Sequence, residues 1–228
     1  MKFPFSELNQ YFNSIDTLKG IFSVYGDFGV GKTIFCIQTA INSAKIGKKV
    51  IYIYTKPNIP SERILLSITD SKDLENILFI KTTDFSELNN IVFNFEFLIL
   101  NFIRNKKKIP NLIIIDSITH LYRLKLTQDK KEANYNLNYQ LNQILANLAF
   151  LNEIYSLEVL IVNESSRKNI DDQIVEIQSG GKVMEYWVNY HLKIAKTPKL
   201  NERKLLFNHI SEKKTIEYTS TLKQKGFD

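Results

Sequence analysis

The chain has 228 residues, 44% of them hydrophobic and 12% aromatic, and its thirty basic and twenty-four acidic side chains leave a formal charge of +6. This composition excludes an intrinsically disordered chain, because it supplies enough apolar area for a core. It also argues against a secreted or membrane protein. No secretory signal fits residues 1–13, no apolar run is long enough to span a bilayer, and the single Cys36 forms no intrachain disulfide, so we expect a cytoplasmic protein. The positive charge is compatible with a polyanionic partner, but an AT-rich genome, which favours Lys, Asn and Ile, would produce the same excess.

The N-terminal residues 1–18 are expected to form a short helix or strap, with Leu8, Tyr11 and Phe12 at helical spacing. From Gly20 onward, apolar runs alternate with helical patterns, which is typical of an α/β fold with a mostly parallel central sheet and helices on both faces. The predicted parallel strands are residues 21–25, 50–54, 77–80, 112–115 and 159–162. Three further strand-like runs, at 187–194, 204–208 and 215–219, predict an antiparallel C-terminal extension, and we expect a single domain spanning 1–228.

Helix boundaries are also readable between these strands. Asp84 is placed to cap a helix beginning at Phe85, with Glu87 three residues later completing a capping box, and Pro110 lies beyond its end. Residues 127–153 carry an apolar stripe at a period of 3.6, which predicts a long helix packed on the core. Residues 163–179 show little periodicity and precede Gly180, so they are interpreted as a long functional loop.

A phosphate-binding loop is the strongest motif in the chain. Residues 26–33 match the pattern G-x-x-x-x-G-K-[ST]. They follow a predicted strand and open a predicted helix, which is the context in which this motif binds nucleotide phosphates. Its backbone N–H groups would surround the phosphates, Lys32 would contact the β- and γ-phosphates, and the Thr33 hydroxyl would bind Mg²⁺. The predicted cofactors are therefore ATP and Mg²⁺, and the loop consists of Gly26, Asp27, Phe28, Gly29, Val30, Gly31, Lys32 and Thr33.

Asp116 is the second predicted element of this site. It ends the apolar run Leu-Ile-Ile-Ile, and ligands bind at the carboxyl ends of strands in open α/β sheets. There it would hold Mg²⁺ through water while Thr33 contacts the ion directly. The alternative interpretation, in which Asp116 only caps the following turn, stays open.

Several features follow one another in the second half of the chain: the run Asp-Ser-Ile-Thr-His-Leu-Tyr-Arg at 116–123, the long leucine-striped helix, the strand at 159–162, Gly180-Gly181 and Tyr186-Trp187. In this combination the chain resembles the RecA-like recombinases of archaea, and most closely the RadB group. The resemblance covers about residues 20–226. It implies a RecA-like P-loop fold and a role in homologous recombination and DNA repair. It also makes Arg63, in Ser-Glu-Arg, the residue that stacks on adenine, a role that cation–π attraction explains.

Two positions depart from that family pattern. Where the family has the Asp-Thr-Glu-Gly segment, whose Glu activates the attacking water, this chain has Tyr-Thr-Lys-Pro, so Lys56 replaces the general base. Where the family has Asn-Gln, with Gln sensing the γ-phosphate, this chain has Asn163 and Glu164. Glu164 would be a relocated catalytic base or would repel the nucleotide. We therefore expect at most a weak, DNA-dependent ATPase.

The resemblance also implies that the loops after Asp116 and Asn163 face DNA. Basic side chains in both segments could pair with phosphates and give salt-sensitive affinity without sequence preference. The acidic residues Asp171, Asp172 and Glu176 in the second segment oppose this interpretation. The candidate DNA-binding residues are Arg123, Lys125, Lys130, Lys131, Arg167 and Lys168.

Several alternatives remain open from the sequence. One is a non-enzymatic accessory protein that uses ATP to set its shape while docking on a recombinase, another repair protein or a polymerase. A KaiC-like signalling ATPase is a further possibility within the same fold, although the paired acidic residues of that family are absent at 54–57. A P-loop kinase lacks an evident arginine-rich lid. Homo-oligomerisation is compatible with the family resemblance.

Overall fold

The computed structural model describes residues 1–12, 18–58, 61, 71–127, 131–170 and 173–228. Its strands are β1 (Ile21–Tyr25), β2 (Val50–Tyr54), β3 (Ile77–Lys81), β4 (Leu112–Asp116), β5 (Glu158–Val162), β6 (Ser165–Ile170), β7 (Gln173–Gln178), β8 (Val188–Lys196), β9 (Glu202–His209), β10 (Lys214–Lys223) and β11 (Gly226–Phe227). Its helices are α1 (Ser6–Tyr11), α2 (Lys32–Lys45), a 3₁₀ helix (Ser71–Asn76), α3 (Phe85–Phe93), α4 (Phe95–Arg104), α5 (Ile118–Lys125), α6 (Lys131–Tyr155) and α7 (Gly181–Trp187).

Within the described ranges, nine of these strands form a sheet in the order β11-β10-β9-β8-β1-β5-β4-β2-β3. Strands β8, β1, β5, β4, β2 and β3 run parallel to one another. Strands β9, β10 and β11 continue the sheet in antiparallel fashion. The predicted fold class, a mostly parallel α/β sheet with an antiparallel C-terminal extension, is confirmed.

Both faces of the central strands are covered, which explains why their sequences are continuously apolar. Neighbouring residues of β4 point to opposite faces, and Ile113 and Ile114 belong to different buried clusters. One cluster contains residues of α1 and α2, and the other contains residues of α3 to α7. The predicted stripe of α6 lies in the second cluster, and the lone Cys36 of α2 is buried in the first.

The two ends of the described chain pack on α2. Phe3 and Phe5 of the N-terminal segment stack on Phe35, with ring centroids 6.0 and 5.6 Å away. At the other end, the Phe227 N–H donates to Gln38 Oε1 (2.9 Å), and Gln38 Nε2 donates to the Phe227 carbonyl oxygen (3.1 Å). The helix that follows the phosphate loop is therefore held by segments far from it in sequence.

Three local predictions are corrected. Asp84 caps α3 by accepting from the Ser86 and Glu87 N–H groups, but the Glu87 carboxylate does not complete a capping box, because it accepts from Thr82 Oγ1 instead. The helical stretch before Pro110 is broken at Asn94 into α3 and α4. The predicted loop at 163–179 contains a two-stranded antiparallel ribbon, β6–β7, whose mostly polar residues gave no clear strand signal.

None of the helices formed by the described residues could serve as a transmembrane span, because none has a sufficiently long apolar stretch.

A buried histidine makes stability depend on pH. Burial lowers the pKa of His191, on β8, to about 4. Its Nδ1 lies 3.1 Å from Gln178 Nε2, which donates to the neutral ring. Gln178 Oε1 in turn accepts from Ser23 Oγ (3.1 Å) and Asn163 Nδ2 (3.2 Å). The neutral imidazole is thus part of a buried polar network.

We expect the free energy of unfolding to fall as the pH is lowered from about 6.5 to about 4. The unfolded state, with a His pKa of 6.5, binds the proton over this window while the folded state does not. The slope contributed by one such group is at most about 1.4 kcal/mol per pH unit. Urea unfolding at pH 7.0, 6.0, 5.0 and 4.5 measures it. The His191→Gln variant should show a shallower dependence, and identical slopes for both proteins would contradict the assignment.

Candidate nucleotide-binding site

The phosphate loop connects β1 to α2 at the carboxyl edge of the parallel strands. Gly26, with φ of +147°, lies so close to β8 that an added Cβ would stand 2.1 Å from the Ile194 carbonyl oxygen. Gly31, with φ of +111°, is the N-cap of α2. Phe28 at the tip of the loop is 94% exposed. The backbone therefore has the tight form that the motif predicts, with its tip open to solvent.

Lys32 is held inside this loop. Its side chain is 6% exposed, and Nζ donates to the carbonyl oxygens of Gly26 (2.6 Å) and Asp27 (2.9 Å). Nζ also lies 3.6 Å from Glu164 Oε2. Burial lowers the pKa of Lys32, and the attraction of Glu164 opposes that effect. The ammonium group could exchange its hydrogen bonds to these carbonyl oxygens for hydrogen bonds to a phosphate.

Lys56 lies just beyond β2, beside Asp116 at the end of β4. The two strands are paired in register at Tyr54 and Asp116. Thr55 fastens the ends together, because its Oγ1 donates to the Ser117 carbonyl oxygen and accepts from the Ser117 N–H, both at 2.8 Å. Lys56 Nζ is consequently 3.5 Å from Asp116 Oδ1. Lys56, the cation predicted to replace the general base, therefore lies beside Asp116 in the candidate site.

Glu164 lies just beyond the neighbouring strand β5, and its side chain also contacts Lys56. Its Oε1 is 3.5 Å from Lys56 Nζ. Its backbone N–H donates to Thr119 Oγ1 (3.0 Å), and Thr119 Oγ1 donates to Asn163 Oδ1 (2.6 Å), which fixes the end of the strand. Burial alone would raise the pKa of Glu164, but Lys32 and Lys56 lower it below the ordinary value.

The four charged side chains form a chain of ion pairs in the order Lys32, Glu164, Lys56, Asp116. Burial alone would lower the pKa of Lys56, but Asp116 and Glu164 together raise it. Two cations and two anions alternate, so each charge has an opposite neighbour and the group is neutral as a whole. Sequence reasoning identified all four residues but not that the two unusual ones, Lys56 and Glu164, contact each other.

The residues present fit a hard divalent cation. Asp116 is fully buried, and its Oδ2 accepts from the Tyr52 hydroxyl (3.1 Å). Its Oδ1 accepts no hydrogen bond from the described residues, since the 3.5 Å approach of Lys56 is an ion pair without a well-formed hydrogen bond. Thr33 lines the adjoining cavity. A carboxylate oxygen and a hydroxyl are the donors that Mg²⁺ prefers.

A cavity of about 660 Å³ opens above the phosphate loop. Its lining includes Gly29 to Ile34, Tyr54, Lys56 and Glu164. Other lining residues come from the antiparallel extension, which sequence reasoning did not connect with the site. These additional lining residues include Asn201, Arg203 and Lys223. Arg203 Nε donates to the Val30 carbonyl oxygen (3.2 Å), so it also supports the loop. The predicted adenine-stacking residue, Arg63, lies outside the described residues.

The two predicted DNA-facing segments meet beside this site. Arg123 Nη1, at the end of α5, donates to the Ser165 carbonyl oxygen (3.3 Å) at the start of β6. Ser165 Oγ donates to Asp27 Oδ1 of the phosphate loop (3.2 Å). Lys125 instead pairs with Asp84 (2.7 Å), although both are solvent-accessible and such pairs are weak. The two segments therefore contact each other, and the second also contacts the phosphate loop.

The remaining candidates on this face are only partly described. Arg167 on β6 and Lys131 at the start of α6 are exposed. Lys130 lies outside the described residues, as do the opposing Asp171 and Asp172, and only the backbone of Lys168 is described. Glu176 is neutralised by Lys193 at 2.9 Å, which weakens its opposition to a polyanion.

A second cavity, of about 460 Å³, lies between the end of α5, the ribbon β6–β7 and α7. Arg123 and Lys182 both line it. Lys182 is exposed and had no distinguishing signal in the sequence, because its place beside Arg123 depends on how α7 packs.

Comparison with known proteins agrees with this geometry. A model of the Rad51 family matches residues 7–197. The DNA repair and recombination protein RadB of Methanococcus maripaludis strain C5 is 32% identical over 198 residues, covering 86% of this chain and 85% of that protein. RadB of Methanocaldococcus jannaschii is 35% identical over 187 residues, covering 78% and 79%.

A more distant similarity points the same way. The DNA repair protein RAD57 of Saccharomyces cerevisiae is 28% identical over 161 residues, which is 65% of this chain and 35% of that protein. The match to the family model and the two RadB proteins confirm the resemblance inferred from the motifs. The chain belongs to the Rad51 family, as a RadB-like member of it.

Proposed function

We propose that this chain is a RadB-like ATP-binding protein of homologous recombination and DNA repair, acting in the cytoplasm. It binds ATP with Mg²⁺ and binds DNA, and it hydrolyses ATP slowly or not at all. The observation that carries the proposal is the convergence of Lys32, Lys56, Glu164 and Asp116 at one end of a cavity bordered by the phosphate loop.

The phosphates would be held by the loop and by the N-terminus of α2. Backbone N–H groups at such a helix end attract anions, and Lys32 would exchange the carbonyl oxygens of Gly26 and Asp27 for phosphate oxygens. Thr33 and Asp116 would hold Mg²⁺, which neutralises charge that develops on the phosphates. Arg63 remains the candidate for stacking on the base.

Slow hydrolysis follows from the charges around the γ-phosphate position. The place of a general base is occupied by Lys56, and Glu164 lies between two cations that lower its pKa. A carboxylate with a lowered pKa is a weaker proton acceptor. A lysine that binds ground and transition states equally does not accelerate the chemical step.

The chain of ion pairs also favours a second candidate function. Phosphate oxygens that bind Lys32 and Lys56 would replace the Glu164 carboxylate, so ATP binding would change the contacts at the start of β6 through Glu164 and Ser165. A nucleotide-gated accessory protein that docks on a recombinase or another repair protein would use this change without hydrolysis.

ATP binding and ATP turnover, each measured with and without single-stranded DNA, test the proposal. We expect saturable ATP binding with turnover far below an ordinary kcat of about 10 s⁻¹. Turnover that rises slightly with DNA supports a weak DNA-dependent ATPase, and binding without turnover supports the accessory role. A folded protein that binds no ATP would contradict both.

Neutralising the basic face should reduce DNA affinity and its salt dependence. The triple change Arg123→Gln, Lys130→Gln and Lys131→Gln removes three charges from the segment that follows β4. Each lost phosphate contact lowers the slope of log K against log salt by on the order of one unit. Fluorescence anisotropy with labelled single-stranded DNA at several salt concentrations measures this slope.

A charge-matched control lies at the opposite edge of the sheet. Arg104, Lys106 and Lys107 are exposed and precede the first residue of β4, whereas Asp116 ends that strand. Changing these three residues to Gln removes the same charge and should leave the slope unchanged. Equal effects of the two triple variants would show that only net charge matters, and an unchanged slope in the first would remove the segment from the interface.

A further inference from the structure

Lys56 contacts the Asp116 carboxylate at the oxygen that would otherwise be free to hold a divalent cation. Asp116 is the carboxylate placed to hold a divalent cation, yet both of its oxygens already face a partner from β2 or the residues after it. The Tyr52 hydroxyl donates to Oδ2, and the Lys56 ammonium lies 3.5 Å from Oδ1. A metal-bound water reaching Oδ1 would have to share this oxygen with Lys56 or displace it.

The position of Lys56 is built into the backbone. Thr55 makes three hydrogen bonds across the ends of β2 and β4, two through its hydroxyl to Ser117 and one from its N–H to the Asp116 carbonyl oxygen (2.8 Å). Lys56 follows directly, with its side chain 25% exposed and also in contact with Glu164. The ammonium is therefore held at Asp116 while part of it borders the cavity.

We propose that the Lys56 ammonium takes the place of Mg²⁺ at Asp116 when the ion is absent, so that this chain binds a nucleoside triphosphate about as well without Mg²⁺ as with it. The inference rests on the proposed ATP-binding function and specifies it further. Lys56 supplies positive charge that is covalently part of the site, whereas Mg²⁺ must be recruited with the nucleotide. Its three donors can serve a phosphate oxygen and Asp116 at the same time.

Glu164 occupies the position beside Lys32 and Lys56 that the γ-phosphate would take. The Glu164 carboxylate contacts both Lys32 and Lys56. An entering γ-phosphate offers oxygens to the same two ammonium groups and can replace the carboxylate. One anion then substitutes for another, and the cations remain paired without a metal.

Calorimetric titration of ATP into the wild-type chain, once with excess Mg²⁺ and once with EDTA, tests the proposal. We expect the two dissociation constants to agree within about threefold, well below the tenfold that 1.4 kcal/mol represents. Lys56→Gln should bind ATP in Mg²⁺ but weaken by at least about tenfold in EDTA. Lys56→Arg, which keeps the charge, should behave as the wild type does, and Lys45→Gln on the exposed end of α2 is the matched control.

Each outcome decides a different claim. Wild-type binding in Mg²⁺ that weakens by more than about tenfold in EDTA overturns this inference and leaves the ATP-binding function standing. Equal insensitivity of the wild type and Lys56→Gln also overturns it, because another group would then supply the charge. No binding of ATP under either condition overturns the proposed function and this inference together. If Lys56→Gln fails to fold, judged by circular dichroism, the wild-type pair of titrations alone decides.

Discussion

The Lys32→Ala variant is expected to lose ATP binding while keeping its fold. Truncating one partner of a buried, hydrogen-bonded charge pair costs about 2–5 kcal/mol, which corresponds to a loss of affinity of roughly 30-fold to several thousand-fold. Lys32 is suited to so large an effect because it is almost completely buried at the phosphate loop. The carbonyl oxygens of Gly26 and Asp27 would lose a donor, so some loss of stability accompanies the change.

Calorimetry at matched protein concentration measures the affinity, and thermal unfolding checks the fold. Lys45→Ala is the control, because Lys45 lies on the last turn of the same helix and is exposed. Unchanged ATP affinity in a folded Lys32→Ala protein would show that the phosphate loop is not the nucleotide site.

The second large effect concerns hydrolysis and requires two changes together. In the wild type, Lys56 and Glu164 are ion-paired to each other, so altering one alone removes one of the two opposite charges beside the other. The double variant Lys56→Glu, Glu164→Gln restores the charge pattern of the family, with a carboxylate after β2 and an amide after β5. General-base assistance is worth about 10²- to 10⁴-fold, and we expect the double variant to turn ATP over at least about 10²-fold faster than the wild type.

The single variants separate the contributions. Lys56→Glu alone places a third carboxylate beside Asp116 and Glu164, and like charges at such distances repel, so its gain should be smaller than that of the double variant. Glu164→Gln alone should leave turnover low, because no base is introduced. Steady-state phosphate release, with and without single-stranded DNA, measures all four proteins.

Two results would contradict this account. Brisk wild-type hydrolysis that disappears only in Glu164→Gln would show that Glu164 acts as the base despite its lowered pKa. Brisk hydrolysis that is insensitive to Glu164 would show that the alignment of this site with the family is wrong.

The parts of the fold that could be predicted are those encoded locally. The strands from β1 to β5 are short apolar runs bounded by turns, and the phosphate loop is a continuous motif, so neither depends on distant contacts. Asp116 was found because the end of a buried parallel strand marks the ligand edge. Lys56 was assigned to the site by the family resemblance, and the pairing of β2 with β4 brings it beside Asp116.

What sequence reasoning missed depends on pairing between distant segments. The ribbon β6–β7 has a polar, weakly alternating sequence, and its hydrogen bonds rather than an apolar face define it. Arg203 reaches the nucleotide cavity only because β9 pairs with β8, which in turn pairs with β1. The pairing of Lys56 with Glu164 likewise follows from sheet order, which the spacing of residues does not contain.

The packing of both chain ends on α2 has a consequence for how the protein opens. Phe3 and Phe5 lie against Phe35, and Gln38 is hydrogen-bonded on both sides of the Phe227 backbone. Native proteins open in contiguous cooperative units, and a segment that shares buried contacts with its neighbour opens together with it. The helix bearing Lys32 is therefore expected to open as one unit with the first and last described segments. Amide hydrogens in all three would then report a common free energy of opening, which bound nucleotide raises.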